Sequence, residues 1–168
     1  MRVKDLKKKS SNRVDVSYLR QFGIQGFGDD NLYPQTLRNI IAASSTGSEC
    51  AERYANFIEG NGFKDIRFSE YVVNRKGDTV DDIHALVCPD VGDFDGMSLH
   101  VNYNIFGEIC ELNYVPFENC RLLEEDSNGY VAKIAVHPDW SGKKTRAGKP
   151  LQVKKENIDF IEESKPRE

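Results

Sequence analysis

The spacing of apolar residues changes period along the chain, and each change marks an element. From Tyr33 to Ser44 the positions Tyr33, Leu37, Ile40, Ile41 and Ser44 recur at helical intervals, one face of a 3.6-residue period. Pro34 suits the opening turn, because its φ is fixed and it has no amide hydrogen to leave unpaired. Asp29, Asp30 and Asn31 place negative charge and capping oxygens just ahead of it. Ser44, Ser45, Thr46 and Gly47 interrupt the pattern, and Thr46 with Glu49 has the spacing of a capping box, so a second helix is expected there. Its inward positions are Ala51, Tyr54, Ala55 and Ile58, with Phe57 beside them, and Gly60 and Gly62 supply the stop. The pair reads as a helical hairpin whose apolar faces need a cover.

Further along, Ile66, Phe68, Tyr71, Val72 and Val73 predict a strand, and 74–77 a turn. Thr79 and Asp82 open a third helix with Val80, Ile83, Leu86 and Val87 on one face, which Pro89 should kink or end. From Met97 the period becomes two. Met97, Leu99, Val101 and Tyr103 alternate with Ser98, His100, Asn102 and Asn104, and a short connection leads to a partner strand over 108–115. Segments at 119–123 and 130–137 follow, then a weak strand at 151–154 and the apolar Ile158, Phe160 and Ile161. The expected fold is α+β: an N-terminal helical hairpin plus a third helix packed on an antiparallel β-meander. Its organisation is a basic, flexible arm and Gly-rich loop over 1–27, a single domain over 28–161 and a charged tail over 162–168. Within the arm, Val14, Val16, Tyr18 and Leu19 fit a short strand.

Composition narrows the partners. The chain has 168 residues, 39% hydrophobic and 30% charged, with a net charge of -4 and pI near 5.5, which argues against a dedicated nucleic-acid module. Residues 1–20 run the other way, with Arg2, Lys4, Lys7, Lys8, Lys9, Arg13 and Arg20 against Asp5 and Asp15, and read as a solvated arm. No stretch has the length of a membrane span, and no apolar core follows the N-terminal charges, so an intracellular setting is expected. Cys50, Cys88, Cys110 and Cys120 lack Cys-x-x-Cys spacing and are expected to be buried free thiols.

The residue types that carry chemistry are present without the spacing that chemistry needs. Gly23, Gly26 and Gly28 form G-x-x-G-x-G rather than a dinucleotide fingerprint. His84 lies beside Asp81 and Asp82, His100 on a polar strand face and His137 at a strand end, none paired by spacing with a nucleophile. Asp90, Asp93, Asp95 and Gly96 resemble a calcium loop, but aligning Gly96 puts Val91 at the first ligand position and Asn102 where a bidentate Glu belongs. No Walker A, His-Glu-x-x-His or Gly-x-Ser-x-Gly run occurs. The expectation is a non-enzymatic chain with no catalytic residue, metal or cofactor. A metal-dependent hydrolase or nuclease is the weakest alternative, requiring Asp93, Asp95, Glu111 or His100 to converge on one ion.

Longer pieces, taken in order, carry a resemblance. Gly-Asp-Asp-Asn-Leu-Tyr-Pro at 28–34, Phe-Ile-Glu-Gly-Asn-Gly-Phe at 57–63, Asp-Phe-Asp-Gly-Met-Ser-Leu-His-Val at 93–101 and Tyr-Val-Pro-Phe-Glu-Asn-Cys-Arg at 114–121 resemble the N-terminal region of tailed-bacteriophage portal proteins of the type found in phages and prophages of Bacteroides-like bacteria. The matching positions are Asp30, Asn31, Tyr33, Pro34, Gly60, Gly62, Phe63, Gly96, Pro116, Phe117, Glu118, Arg121 and Trp140. The resemblance covers residues 28–140 and implies a non-catalytic virion subunit, the outer wing-like part of a ring at one capsid vertex. Implied partners are other copies of the chain, capsid protein, terminase and head-completion proteins. Double-stranded DNA would pass through the ring without direct contact from this region, and the implied location is the virion, with the bacterial cytoplasm during assembly and no membrane. The chain departs from the family in length, with no counterpart of the stem, clip or channel loop. Lys143, Lys144 and Arg146 are the candidate positions for a partner or phosphate contact, and a solvated loop is the plainer reading of them. The runner-up function is a phage- or prophage-encoded protein-binding domain.

Overall fold

A computed structural model describes residues 17–28, 30–140 and 155–162. Its best-specified element is opened by a reciprocal cap. Thr79 Oγ1 accepts from the Asp82 amide at 3.2 Å while Asp82 Oδ2 accepts from the Thr79 amide at 2.8 Å, and helix α5 (Val80–Phe94) follows. Before it come α1 (Ser17–Gln21), α2 (Tyr33–Ala43), α3 (Ser45–Glu59) and α4 (Ile66–Ser69). After it, β1 (Leu99–Tyr103) and β2 (Ile109–Tyr114) form one antiparallel sheet, and β3 (Cys120–Leu122), β4 (Lys133–Val136) and β5 (Asp159–Glu162) form a second in that order. The described residues are therefore α+β, as the pattern predicts.

Several elements differ from the sequence expectation, each for a local reason. Tyr18 and Leu19 lie in α1 rather than a strand, because Leu19 is buried and its carbonyl accepts from Phe22 and Ile24 as the chain turns back toward Leu123. The second helix starts at Ser45, not at a Thr46–Glu49 box. Ser44 is extended and its hydroxyl accepts from the Gly47 amide at 3.1 Å, so a single residue separates the two helices. Residues 66–73 hold no strand beyond a bridge from Val72 to Thr79. Asp65 caps the short α4 through the Arg67 amide, and that local bond outweighs the β-propensity of the run. Pro89 neither ends nor closes α5. It forgoes one ladder bond, but buried neighbours Cys88 and Asp90 hold the helix on until Asp95 turns left-handed at φ 55°.

The cover over the hairpin also differs. α3 packs chiefly on α5, and the close approach runs through small residues: a Cβ on Gly92 would sit 3.5 Å from the Ala51 carbonyl and 3.6 Å from Ala55 Cβ. Ala55 and Pro34 are buried, whereas Tyr33, Ile40, Tyr54 and Phe57 stay exposed, so the inward face is narrower than predicted. The expected single meander is split. Pro116 and a 3₁₀ turn at Phe117–Asn119 carry the chain from β2 to β3 without pairing them. The second sheet, with Leu19, Ile24, Ala135, Trp140 and Ile158, makes the main apolar core. Cys88 and Cys120 are buried, and burial raises both thiols; Cys50 and Cys110 are exposed, against expectation, because they lie on outward positions of α3 and β2. Residues 1–16 of the expected arm over 1–27, the predicted strand at 151–154, Lys143, Lys144 and Arg146 lie outside the described residues.

Thr79→Ala should lower the stability of the fold by about 1 kcal/mol, read from the midpoint of chemical denaturation. The Thr79 amide, then its hydroxyl, holds the Asp82 carboxyl below its ordinary value. Such a group stabilises above its unfolded pKa and ceases to as pH falls through the folded one. Asp82→Asn should thus be less stable than the parent at neutral pH and converge with it below the carboxylate range.

Candidate functional site

On α5 the apolar stripe Ile83–Val87 is continued one turn on by Asp90, a carboxylate with 0% exposure. A charge there requires partners, and three groups converge on it. Oδ1 accepts from Arg38 Nη2 of α2 at 2.7 Å; Oδ2 accepts from the Tyr114 hydroxyl of β2 at 2.8 Å and from the Phe117 amide at 2.9 Å. Arg38 also reaches Asp93 and Glu118, each at 3.2 Å, and lies over the Phe94 ring at 4.8 Å. Burial works against the Arg38 charge, but Asp90, Glu118 and Asp93 together outweigh it and hold its pKa above the ordinary value. Burial, followed by the bond to Asp90, pushes the Tyr114 phenol well above its usual range.

Phe94 stacks on Phe117, with ring centres 5.4 Å apart, and the next residue but one, Gly96, leaves room for that ring. A Cβ at Gly96 would lie 2.9 Å from Phe117 Cε2, which accounts for the glycine on space alone. Phe117 in turn meets Phe27 at 6.1 Å. Phe27 and Trp140 flank the guanidinium of Arg121, at 4.8 and 5.1 Å.

Arg121 is the second node, with 0% exposure. Its Nε donates to Asn31 Oδ1 at 2.6 Å, Nη2 to the Asn31 carbonyl at 2.8 Å, and Nη1 to the carbonyls of Glu118 and Cys120 at 2.8 and 2.7 Å. Asn31 adopts a left-handed φ of 60°, which asparagine tolerates, and its Oδ1 also accepts from the Phe27 amide at 3.0 Å. Gln35 joins α2 to the same place, donating to the Glu118 carbonyl at 2.8 Å. Trp140 is fastened by its indole N–H to the Asn119 carbonyl at 2.9 Å.

Of the positions that carry the resemblance, Pro34 is buried in the first turn of α2, and Asn31, Gly96, Phe117, Glu118, Arg121 and Trp140 gather at this junction. Asp30 sits at its edge, its Oδ1 accepting from the Leu32 amide at 3.0 Å, and Pro116 caps the 3₁₀ turn. Tyr33 is exposed. Gly60, Gly62 and Phe63 form a separate group past the far end of α3. Gly62 has φ 74° and no room beside Asp81, and Phe63 packs on Phe68 and His84 at 5.0 Å each.

The alternative metal residues do not meet. Asp93 is held by Arg38, Asp95 is the C-cap of α5, and Glu111 accepts from Asn102 at 2.9 Å, a bond that lowers its pKa. His100 lines a cleft between the two sheets. Among the described residues no group of three or more His, Cys, Asp or Glu is placed to hold a metal ion. Arg38, Gln35 and Phe27 are not singled out in the sequence, while Asp90 enters there only in a failed calcium loop and Phe94 and Tyr114 only as wording in longer segments. The signal for Asp90 was available: a charge on the continuation of a buried helical stripe. Comparison with protein-family models, curated proteins and solved structures returns no significant match.

Removing the carboxylate strands several groups at once. Asp90→Ala should destabilise the fold by about 3–5 kcal/mol, since it leaves a partly buried guanidinium, a hydroxyl and an amide without their acceptor. Arg121→Lys should cost a comparable amount despite keeping the charge, because an ammonium cannot reach Asn31, Glu118 and Cys120 with one planar fork. Both are measured by denaturation. Tyr114→Phe should cost about 1 kcal/mol at neutral pH. A raised phenol pKa stabilises below the ordinary value of 10.0 and less so as pH rises past it, so the gap between Tyr114→Phe and the parent should narrow above that pH.

Proposed function

We propose that the chain is a virion structural and assembly protein, a portal-type subunit or the wing-like region of one, with no catalytic role. The observation that carries the reading is the convergence of signature residues on one buried junction, where Arg121 bonds Asn31 across 90 positions. A signature selected for chemistry leaves a reactive atom facing a cleft. Here the Arg121 fork is filled by carbonyls and by the Asn31 amide oxygen, which supports reading the wording as architectural. The resemblance supplies the partners: further copies of the chain, capsid protein, terminase and head-completion proteins, with DNA passing through the assembled ring.

A second reading, a phage- or prophage-encoded protein-binding domain, is favoured by the tip of the β1–β2 hairpin. Ile105 and Phe106 are 88% and 81% exposed there, with Ile109 beside them. No described helix is long and apolar enough to cross a membrane. The two readings separate by native mass spectrometry and negative-stain microscopy of the gene's full product. A closed ring is expected; a monomer at every concentration would count against the portal reading and leave the binding domain. A large-terminase gene upstream and a capsid gene downstream are expected in the same neighbourhood.

A further inference from the structure

β1 has one open edge. Val115 donates to the Ser98 carbonyl at 3.2 Å and Asn104 to the Glu108 carbonyl at 2.9 Å, so residues of that parity, His100 and Asn102 among them, turn their backbone groups toward β2. Leu99, Val101 and Tyr103 therefore point their N–H and C=O groups the other way, about 7 Å apart. Among the described residues those groups have no partner. The other edges are occupied or charged. Leu112 of β2 donates to the Val73 carbonyl and Gln25 to the Leu122 carbonyl of β3, each at 2.8 Å, and β5 carries Asp159 and Glu162. β1 has no Lys, Arg, Asp, Glu or Pro to discourage pairing, and the extra residue of its bulge with β2, Cys110, lies on β2.

All five residues of β1 line a cleft of about 510 Å³, and Val131, Ala132, Ile134 and Ile161 line it from the second sheet. Ile134 and Ile161 are cross-strand partners, on the face opposite to Ala135 and Phe160, which pack into the main core. The one carboxylate on the lining, Glu162, is paired with Lys133. Alternating donors and acceptors on one side and uncharged apolar side chains on the other are the complement of a single extended polypeptide. The volume holds about three residues at ordinary strand spacings, too little for a hairpin edge that brings a second strand with it.

We propose that this cleft receives one extended segment of a partner protein as an added strand on β1, with uncharged apolar side chains at alternate positions laid against Ile134 and Ile161. The site is independent of the portal reading, since it needs neither a ring nor a capsid.

The test is amide hydrogen exchange, read by NMR on the whole chain, with the peptide acetyl-Thr-Val-Thr-Val-Thr-amide. Added protection is expected at Leu99, Val101 and Tyr103 and not at His100 and Asn102, whose amides already face β2; an equal gain in both sets would overturn the added strand. N-methylation of the valines and of the threonines removes donors from opposite edges of the peptide. One form should bind at least about tenfold more weakly and the other should not; matching affinities would overturn the backbone pairing. Val101→Pro, at a position whose N–H leaves no ladder bond behind, should weaken binding at least about tenfold. Ala132→Glu, an exposed substitution on the far side of the cleft, should do the same without touching β1; unchanged binding would overturn the cleft as the site. Replacing both valines by serine should also cost at least about tenfold, and equal affinity would overturn the apolar specification. Self-association of the chain without peptide, removed by Val101→Pro, would overturn the separate partner in favour of a second copy.

Discussion

A carboxylate taken wholly out of water must find a cation and hydrogen-bond donors for both its oxygens, or the fold that buries it does not persist. Asp90 imposes that requirement from the middle of α5, and its donors come from α2, β2 and the 3₁₀ turn. One residue thereby sets where three other elements stand. Arg38 is the exacting partner. With a side chain 35% exposed it could have remained on the surface, yet it is drawn onto Asp90 and then extends the constraint to Asp93 and Glu118. Pairs of this kind contribute little net stability compared with apolar replacements. Their effect is on geometry, because few arrangements satisfy every atom at once.

Glu118 links the two nodes. Its carboxylate meets Arg38 and its carbonyl accepts from both Arg121 and Gln35, so the turn between β2 and β3 is tied to α2 twice. This explains how two sheets that share no ladder remain in register with the helices. The first sheet is anchored through Tyr114 and Asp90, the second through Arg121, Asn31 and Trp140, and the aromatic run Phe94, Phe117, Phe27 fills the space between the nodes. Polar bonds here perform the joining that a continuous meander would otherwise perform.

What could be read from the chain in advance followed how local each determinant is. The Thr79–Asp82 box and the period-two run from Leu99 were legible because their partners lie within a few residues. The run from Ile66 to Val73 misled because its β-branched and aromatic content suggested a strand while a single cap at Asp65 decided otherwise. Arg121 and Asn31 were visible only as wording that resembled a family, since nothing within either segment tells of a bond across 90 positions. Asp90 was legible in part: its place on the stripe demanded a partner, but Arg38 lies 52 positions away and no spacing rule names it.

The inside and outside of the molecule differ in completeness, and the difference bears on function. At the junction the Asp90 carboxylate and the Arg121 guanidinium are engaged by internal partners, and Asn31 Nδ2 is the buried atom there left without one. Outside, Phe57, Ile105 and Phe106 are more than four-fifths exposed. Apolar surface lowers its free energy by being covered, so the hairpin tip at Ile105 and Phe106 gains more from contact than the buried junction, which is already covered.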